Sequence, residues 1–212
     1  MSVRRVASSA EPAFNALLRI YTASIAASER KSAKQLAEMI ARPEYCFLVA
    51  MRGTAAVGFA IAAELRGTDA ALLEYMAVKR EERGRGIGAL LFRAMTELPQ
   101  FAGRFLLIEV DSTREDATDC EERARRKAFY ARLGARELGG VRYHMPRVAE
   151  AEPPEMELMV FGAELPVRIE KTRVRAWVES LYAQVYGVKD AARTESMLEK
   201  AGEQICLIPE RG

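Results

Sequence analysis

Apolar residues near the N-terminus recur at spacings of three and four positions, which predicts two helices. The first helix is expected from residue 11, with an apolar face formed by Phe14, Leu17, Leu18, Tyr21 and Ile25. The second is expected over residues 32–41, just before a proline at position 43. A short strand over residues 3–7 is expected to precede both helices.

After residue 43 the helical spacing gives way to short apolar runs separated by glycine-containing turns. Runs over 45–50, 56–61 and 72–78 predict three consecutive antiparallel strands. A helix is expected after Gly88, followed by a strongly apolar strand over 105–110. A further helix is expected to begin with a capping box at Asp119 and to end at Gly134.

The C-terminal part begins with predicted strands over 141–145 and 156–161, separated by a proline- and glutamate-rich link. From residue 172 an amphipathic helix is expected, and its apolar stripe includes Trp177. A last helix over 191–201 and a short strand over 205–208 follow. The Trp177 stripe is interpreted as a packing extension, with a homodimer contact as the alternative.

The order of these elements predicts an α/β (α+β) fold with a mixed, mostly antiparallel central sheet. A single strand–helix–strand crossover lies in the middle of the chain, and a helical extension follows at the C-terminus. The expected domains are a core over residues 1–150 and an extension over 151–212 that packs on it.

Composition and net charge narrow the range of functions that the chain can have. The net charge is only +2, which argues against a dedicated nucleic-acid-binding protein. Apolar stretches are too short for a membrane span, so a soluble cytoplasmic protein is expected. The 3 cysteines are scattered and are interpreted as small packing residues. Because His144 is the single histidine, neither a metal cluster nor a histidine-based catalytic triad is expected.

A glycine-rich segment, residues 83–88, lies between a predicted strand and a predicted helix. Glycines let the backbone approach a ligand closely, and the first amides of a helix favour an anion such as a phosphate. A tight turn beside a solvated surface is the plainer alternative. The letters also fit a dinucleotide fingerprint through Gly84, Gly86 and Ala89. The antiparallel strands before the segment argue against that fold.

Residues 74–78, the charged run after them and the glycine-rich segment resemble the acyl-CoA signature of the GNAT superfamily of N-acyltransferases. That signature, Arg/Gln-x-x-Gly-x-Gly/Ala, is met by Arg83, Gly86 and Gly88. Residues 126–135 resemble the second landmark of the family, a helix that ends in Phe-Tyr-x-x-x-Gly-Phe, with Ala135 in place of the last Phe. The resemblance covers about residues 3–147.

The resemblance implies acetyl-CoA or another acyl-CoA as co-substrate, and no metal. Its pyrophosphate would bind the backbone amides of the glycine-rich segment, with charge added by two arginines. Its pantetheine arm would lie along the preceding strand. The implied cofactor-binding residues are Met76, Ala77, Val78, Arg83, Gly84, Arg85, Gly86, Ile87, Gly88 and Ala89.

The resemblance also implies that Tyr130 is the general acid for the departing thiolate and that Glu74 is the general base. Glu109 places a charge in an otherwise apolar strand, and a charge in such a strand is unfavourable unless it is paired or functional. It is a second candidate base, an ammonium-binding group, or a partner of Arg125 or Arg126. The implied activity is acyl transfer to a small-molecule amine or a protein amino group. A non-catalytic acyl-CoA-binding module is the alternative.

Overall fold

A computed structural model describes residues 1–113, 119–146 and 156–209. Its helices are α1 (Pro12–Ser24), α2 (Ala33–Ile40), α3 (Ile87–Thr96), α4 (Cys120–Arg132), α5 (Lys171–Leu181) and α6 (Ala191–Leu198). Its strands are β1 (Ser2–Val6), β2 (Tyr45–Arg52), β3 (Ala55–Glu64), β4 (Ala70–Val78), β5 (Phe105–Asp111), β6 (Arg136–Leu138), β7 (Met156–Phe161), β8 (Arg168–Glu170) and β9 (Gln204–Ile208).

The chain forms two compact units. Unit 1 contains Met1–Glu64 and Leu73–Ala102, and unit 2 contains Leu65–Leu72 with the described residues from 103 onwards. Strand β4 therefore begins in unit 2 and continues in unit 1. The domain boundary predicted between residues 150 and 151 lies outside the described residues and stays a prediction.

Unit 1 is built on the strand order β1-β2-β3-β4. Strands β1 and β2 are antiparallel, as are β2 and β3. Both β2 and β3 are buried along most of their length, because helices α1 and α3 pack against this part of the sheet. Helix α2 begins with a capping box in which Ser32 and Gln35 satisfy each other's backbone amides.

Unit 2 has the strand order β5-β7-β6-β9-β8, and each neighbouring pair in it is antiparallel. Helix α4 packs against β5, and α5 packs against α6 and β8. Trp177 is only 1% exposed. Its ring centroid lies 5.0 Å from that of Phe105, and its indole N–H donates a 2.7 Å hydrogen bond to Asp69.

The predicted fold class is confirmed: the fold is mixed α+β, with mostly antiparallel strand pairs and the crossover order β4-α3-β5. The helical C-terminal extension is also present. No helix in the described ranges has both the length and the apolarity that a membrane crossing requires.

The predicted strand over 141–145 is wrong, although its alternating burial is real. The segment pairs with a helix instead of a strand. The backbone amide of Arg142 donates a hydrogen bond to the carbonyl of Met197 in α6. The predicted capping box at Asp119 is also wrong, since this side chain accepts a hydrogen bond from Arg123 instead of a backbone amide.

The cysteine prediction is correct at one position only. Cys46 is buried in β2, where it packs as a small apolar side chain. Cys120 and Cys206 are exposed, so the interpretation of these two residues as packing residues is wrong.

Candidate functional site

Residues 83–86 of the glycine-rich segment form an exposed loop between β4 and α3, whereas Ile87 and Gly88 already belong to α3 and Ile87 is buried. Gly84 has a φ of 75° and Gly86 a φ of 77°, which is the left-handed region that favours glycine. A Cβ atom added at either position would meet no heavy atom within 4 Å. The conformation requires glycine, and the space above the loop is open for a ligand.

Helix α3 begins directly at this loop, with Gly86 as its N-cap. Leu90 donates its amide to the carbonyl of Gly86 at 3.0 Å, which is the first turn of the helix. The amides of Ile87, Gly88 and Ala89 precede that bond, so they have no acceptor within the helix. Amides in this position, together with the helix dipole, attract an anionic group.

The second half of β4 leads into the loop. Residues 70–73 are buried, whereas Met76, Ala77 and Val78 are half-buried. The guanidinium of Arg83 donates a 3.4 Å hydrogen bond to the carbonyl of Val78. The three residues predicted to contact pantetheine therefore lie on a partly accessible strand end, directly before the loop.

Glu74, also on β4, pairs with Lys31. The side chain of Glu74 is 2% exposed and that of Lys31 is 11% exposed. The second carboxylate oxygen of Glu74, Oε2, is buried and has no hydrogen-bond partner among the described residues. Glu74 is thus a deeply buried carboxylate paired with Lys31, and its charge adds to the rise that burial causes in the pKa of Tyr45.

Two tyrosines hold the segment that carries Lys31. The hydroxyl of Tyr21 accepts the backbone amide of Lys31 at 2.7 Å, and that of Tyr75 donates to the carbonyl of Glu29 at 2.9 Å. The rings of Tyr21 and Tyr75 pack edge to face, with centroids 5.0 Å apart. These contacts fix the backbone from which Lys31 reaches Glu74.

An open hollow lies beside this pair in unit 1, with a volume of about 920 Å³. Its wall comes from α1, the segment after it and the start of α2. Lys31 lines this hollow and also pairs with Glu74, whereas Glu74 itself is not among the lining residues. The lining residues are Leu18, Arg19, Tyr21, Thr22, Ala23, Arg30, Lys31, Ser32, Ala33 and Gln35.

Tyr130 lies on α4 in unit 2, where its side chain is 7% exposed. Burial raises the pKa of Tyr130 to about 12, and the nearby Arg126 charge opposes this rise. Arg126 itself pairs with Asp111 at 2.5 Å. The phenol therefore keeps its proton throughout the neutral range.

Glu109 lies on β5 in unit 2 and receives hydroxyl groups at both carboxylate oxygens. Tyr143 donates to Oε1, and Tyr186 donates to Oε2 at 2.7 Å. Burial raises the pKa of Tyr143 well above its ordinary value, and the charge of Glu109 adds to this rise. Of the partners considered for Glu109 in the sequence, Arg125 pairs with Glu121 and Arg126 with Asp111.

The predicted site residues thus fall into two sets. Glu74, the strand end 76–78 and the loop 83–89 belong to unit 1, whereas Tyr130 and Glu109 belong to unit 2. Lys31 and Tyr186 contact the two candidate carboxylates and are not predicted by any motif of the sequence. Neither carries a local signal, because Lys31 is 43 residues from Glu74 and Tyr186 is 77 residues from Glu109.

Part of the chain matches a known protein domain. A sequence model of the acetyltransferase (GNAT) domain matches residues 43–134, which include β2, β3, β4, the loop and α4. The chain is 25% identical to YjbC of Bacillus subtilis (strain 168), a protein assigned to the acetyltransferases. That similarity covers 65% of this chain and 67% of YjbC.

Solved structures share the fold. A GNAT-family protein from Bacteroides thetaiotaomicron matches with a TM-score of 0.72 and 21% identity, over 89% of this chain and 100% of its own. Residues 151–212 form a larger share of this chain than the part left uncovered, so the likeness extends into the C-terminal extension. An aminoglycoside 6'-N-acetyltransferase complexed with coenzyme A matches with a TM-score of 0.57 and 19% identity, over 78% of this chain and 99% of its own.

Residues 43–134 of the chain thus match the acetyltransferase (GNAT) domain, and the solved GNAT structures share the fold of the chain. This match agrees with the resemblance found in the strand end, the glycine loop and the helix that ends at Gly134.

Proposed function

We propose that this protein transfers an acetyl group from acetyl-CoA to an amine. The observation that carries the proposal is the exposed loop at Gly84 and Gly86, which opens onto space beside the free amides of α3. These amides would hold the pyrophosphate, and the strand end from Met76 to Val78 would hold the pantetheine arm. Bound acetyl-CoA supplies an acyl group activated as a thioester.

Glu74 is proposed to accept the proton of the attacking amine, directly or through water. Its carboxylate is almost fully buried, and Oε2 has no partner among the described residues. Lys31 occupies the other oxygen and also lines the hollow. We propose that the acceptor enters through this hollow and that its amine takes a place at Glu74.

Tyr130 is proposed to protonate the departing thiolate. A pKa of about 12 means that the phenol holds its proton at neutral pH and is available as a donor. The backbone amide of Met76 or Val78 is proposed to stabilise the oxyanion.

Glu109 is proposed to bind the ammonium form of the acceptor rather than to act as a base. Both of its oxygens accept tyrosine hydroxyls. Hydrogen bonds to a carboxylate favour its charged form, which suits the attraction of a cation better than the removal of a proton.

Calorimetry with acetyl-CoA tests the cofactor part, with NADH as the control for a dinucleotide fold. Gly86→Val should abolish measurable binding because its side chain would occupy the open space over the loop. Gly67→Val is the matched control, since Gly67 also has a positive φ and open space around an added Cβ. It should be similarly strained and still bind. Equal binding by both variants would contradict the loop assignment.

Thiol release from acetyl-CoA across a panel of amines tests catalysis separately. Amine-dependent release that Glu74→Gln reduces would support the proposed acetyl transfer. Saturable acetyl-CoA binding without release on any amine would favour the non-catalytic binding module. Binding of NADH without acetyl-CoA would overturn the proposal as a whole.

A further inference from the structure

Two arginines meet on one carboxylate beside the glycine loop. Glu82 accepts a hydrogen bond from Arg85 at 3.1 Å and lies 2.8 Å from the guanidinium of Arg52. Both arginines contact the same oxygen, Oε2. Arg85 lies between the two loop glycines, Gly84 and Gly86. Arg52 is the last residue of β2 and belongs to no sequence motif.

The strand arrangement places Arg52 at the edge of the sheet where the loop lies. Arg52 is paired in register with Ala55 at the start of β3. Lys79 lies directly after β4, and its backbone amide donates a 2.9 Å hydrogen bond to the carbonyl of Val57. Val57 is close to the start of β3. The end of β2 and the beginning of the loop are therefore neighbours within unit 1.

The cluster has charge and donors left for a ligand. Two guanidinium groups and one carboxylate give it a net charge of about +1. The side chains of Arg52 and Arg85 are 43% and 54% exposed, while that of Glu82 is 15% exposed. Each guanidinium carries five donor hydrogens, and one carboxylate oxygen uses only part of them. Each guanidinium therefore has donors that Glu82 does not use.

We propose that Arg52 and Arg85, held in position by Glu82, bind the 3′-phosphate of coenzyme A. This inference rests on the proposed function, in which the loop amides hold the pyrophosphate. A phosphate monoester approaches a charge of about −2 near neutral pH, and a pair of guanidinium groups is the usual match for it. Glu82 orients the two arginines and reduces their mutual repulsion before the ligand arrives.

The test compares acetyl-CoA with 3′-dephospho-acetyl-CoA by calorimetry. Arg52→Ala should weaken binding of acetyl-CoA by about tenfold, as expected when one charge-assisted contact is lost. It should change binding of the dephospho compound by less than about twofold, because that ligand lacks the contact.

Arg42→Ala is the matched control. Arg42 pairs with Glu44 through a side chain that is 44% exposed, close to the value for Arg52, but it precedes β2 instead of ending it. This variant should bind both compounds as the unmodified protein does.

An equal loss on both compounds would overturn the inference, since it would assign Arg52 to the pyrophosphate or to loop structure. No loss on either compound would overturn it as well. If the unmodified protein bound neither compound, the proposed function itself would fall, and this result differs from both of the others.

Discussion

The hydroxyl of Tyr186 donates a 2.7 Å hydrogen bond to Oε2 of Glu109. Tyr186 ends a π-helical turn, Tyr182–Tyr186, that continues α5. π-helical turns are rare and frequently mark functional positions. Through this bond the C-terminal extension contacts Glu109, the charged residue in the apolar strand β5. The extension therefore contributes a residue directly to the candidate site.

A double-mutant cycle measures this link. Tyr186→Phe should lower the free energy of unfolding by about 1–2 kcal/mol, because a hydrogen bond to a charged group is lost. In a Glu109→Gln background the same change should cost clearly less. Urea denaturation gives all four values.

Tyr75→Phe is the control, since the hydroxyl of Tyr75 donates to the backbone carbonyl of Glu29 in unit 1. Its cost should be the same with or without Glu109→Gln. A Tyr186 effect that is independent of Glu109 would contradict the pairing.

Tyr130→Phe should reduce the rate of thiol release by about a hundredfold or more while acetyl-CoA affinity stays unchanged. Because burial raises the pKa of Tyr130 to about 12, titration of Tyr130 should add no basic limb to the pH–rate profile up to about pH 10. Steady-state kinetics from pH 6 to about pH 10 would check this. Unchanged thiol release by the variant would remove Tyr130 as the acid.

The raised pKa of Tyr130 also makes the free energy of unfolding depend on pH. A raised pKa in the folded state means that the protonated phenol is favoured by folding. This contribution is fully present below the unfolded pKa of about 10 and is lost as the pH rises towards about 12. Unfolding at alkaline pH should therefore depend less steeply on pH in Tyr130→Phe than in the unmodified protein.

Lys31→Met should destabilise unit 1 by about 3 kcal/mol, because it leaves the buried carboxylate of Glu74 without its cation. Adding Glu74→Gln should recover part of that loss, since the charge that needs a partner is then gone. Urea denaturation of the single and double variants provides the comparison. Lys34→Met is the control: Lys34 and Glu38 form a largely exposed pair at 4.0 Å, so little change is expected. Equal stabilities for Lys31→Met and Lys34→Met would contradict the buried pair.

Thiol labelling should separate the cysteines. Burial raises the pKa of Cys46 to about 11, so this thiol stays protonated and shielded at neutral pH. Cys120 and Cys206 are exposed and should react within minutes with a disulfide reagent, while Cys46 should react only in denaturant. Rapid labelling of Cys46 in the folded protein would show that β2 opens readily. Thiol-release assays need this correction for the protein's own thiols.

Much of the fold could be predicted from the sequence, because regular elements leave a periodic signal. The buried face of α1 follows helical spacing, and the apolar runs of β2 and β3 reflect strands buried under helices. The segment around Tyr143 shows the limit of this reasoning. It alternates in burial as a strand does, but burial alone does not reveal that its neighbour is α6.

By itself the sequence determined the glycine loop, since Gly84 and Gly86 mark positive φ angles that glycine adopts at the lowest cost. The same local information revealed the resemblance to the GNAT superfamily through contiguous motifs. Only the tertiary structure decided which side chains meet the two candidate carboxylates: Lys31 at Glu74, and Tyr186 at Glu109. Such long-range polar pairs leave no periodic pattern in the sequence. A single lysine or tyrosine looks the same in the sequence whether it lies on a solvated surface or in a site. Their geometry exists only once the packed elements bring distant residues within hydrogen-bonding distance.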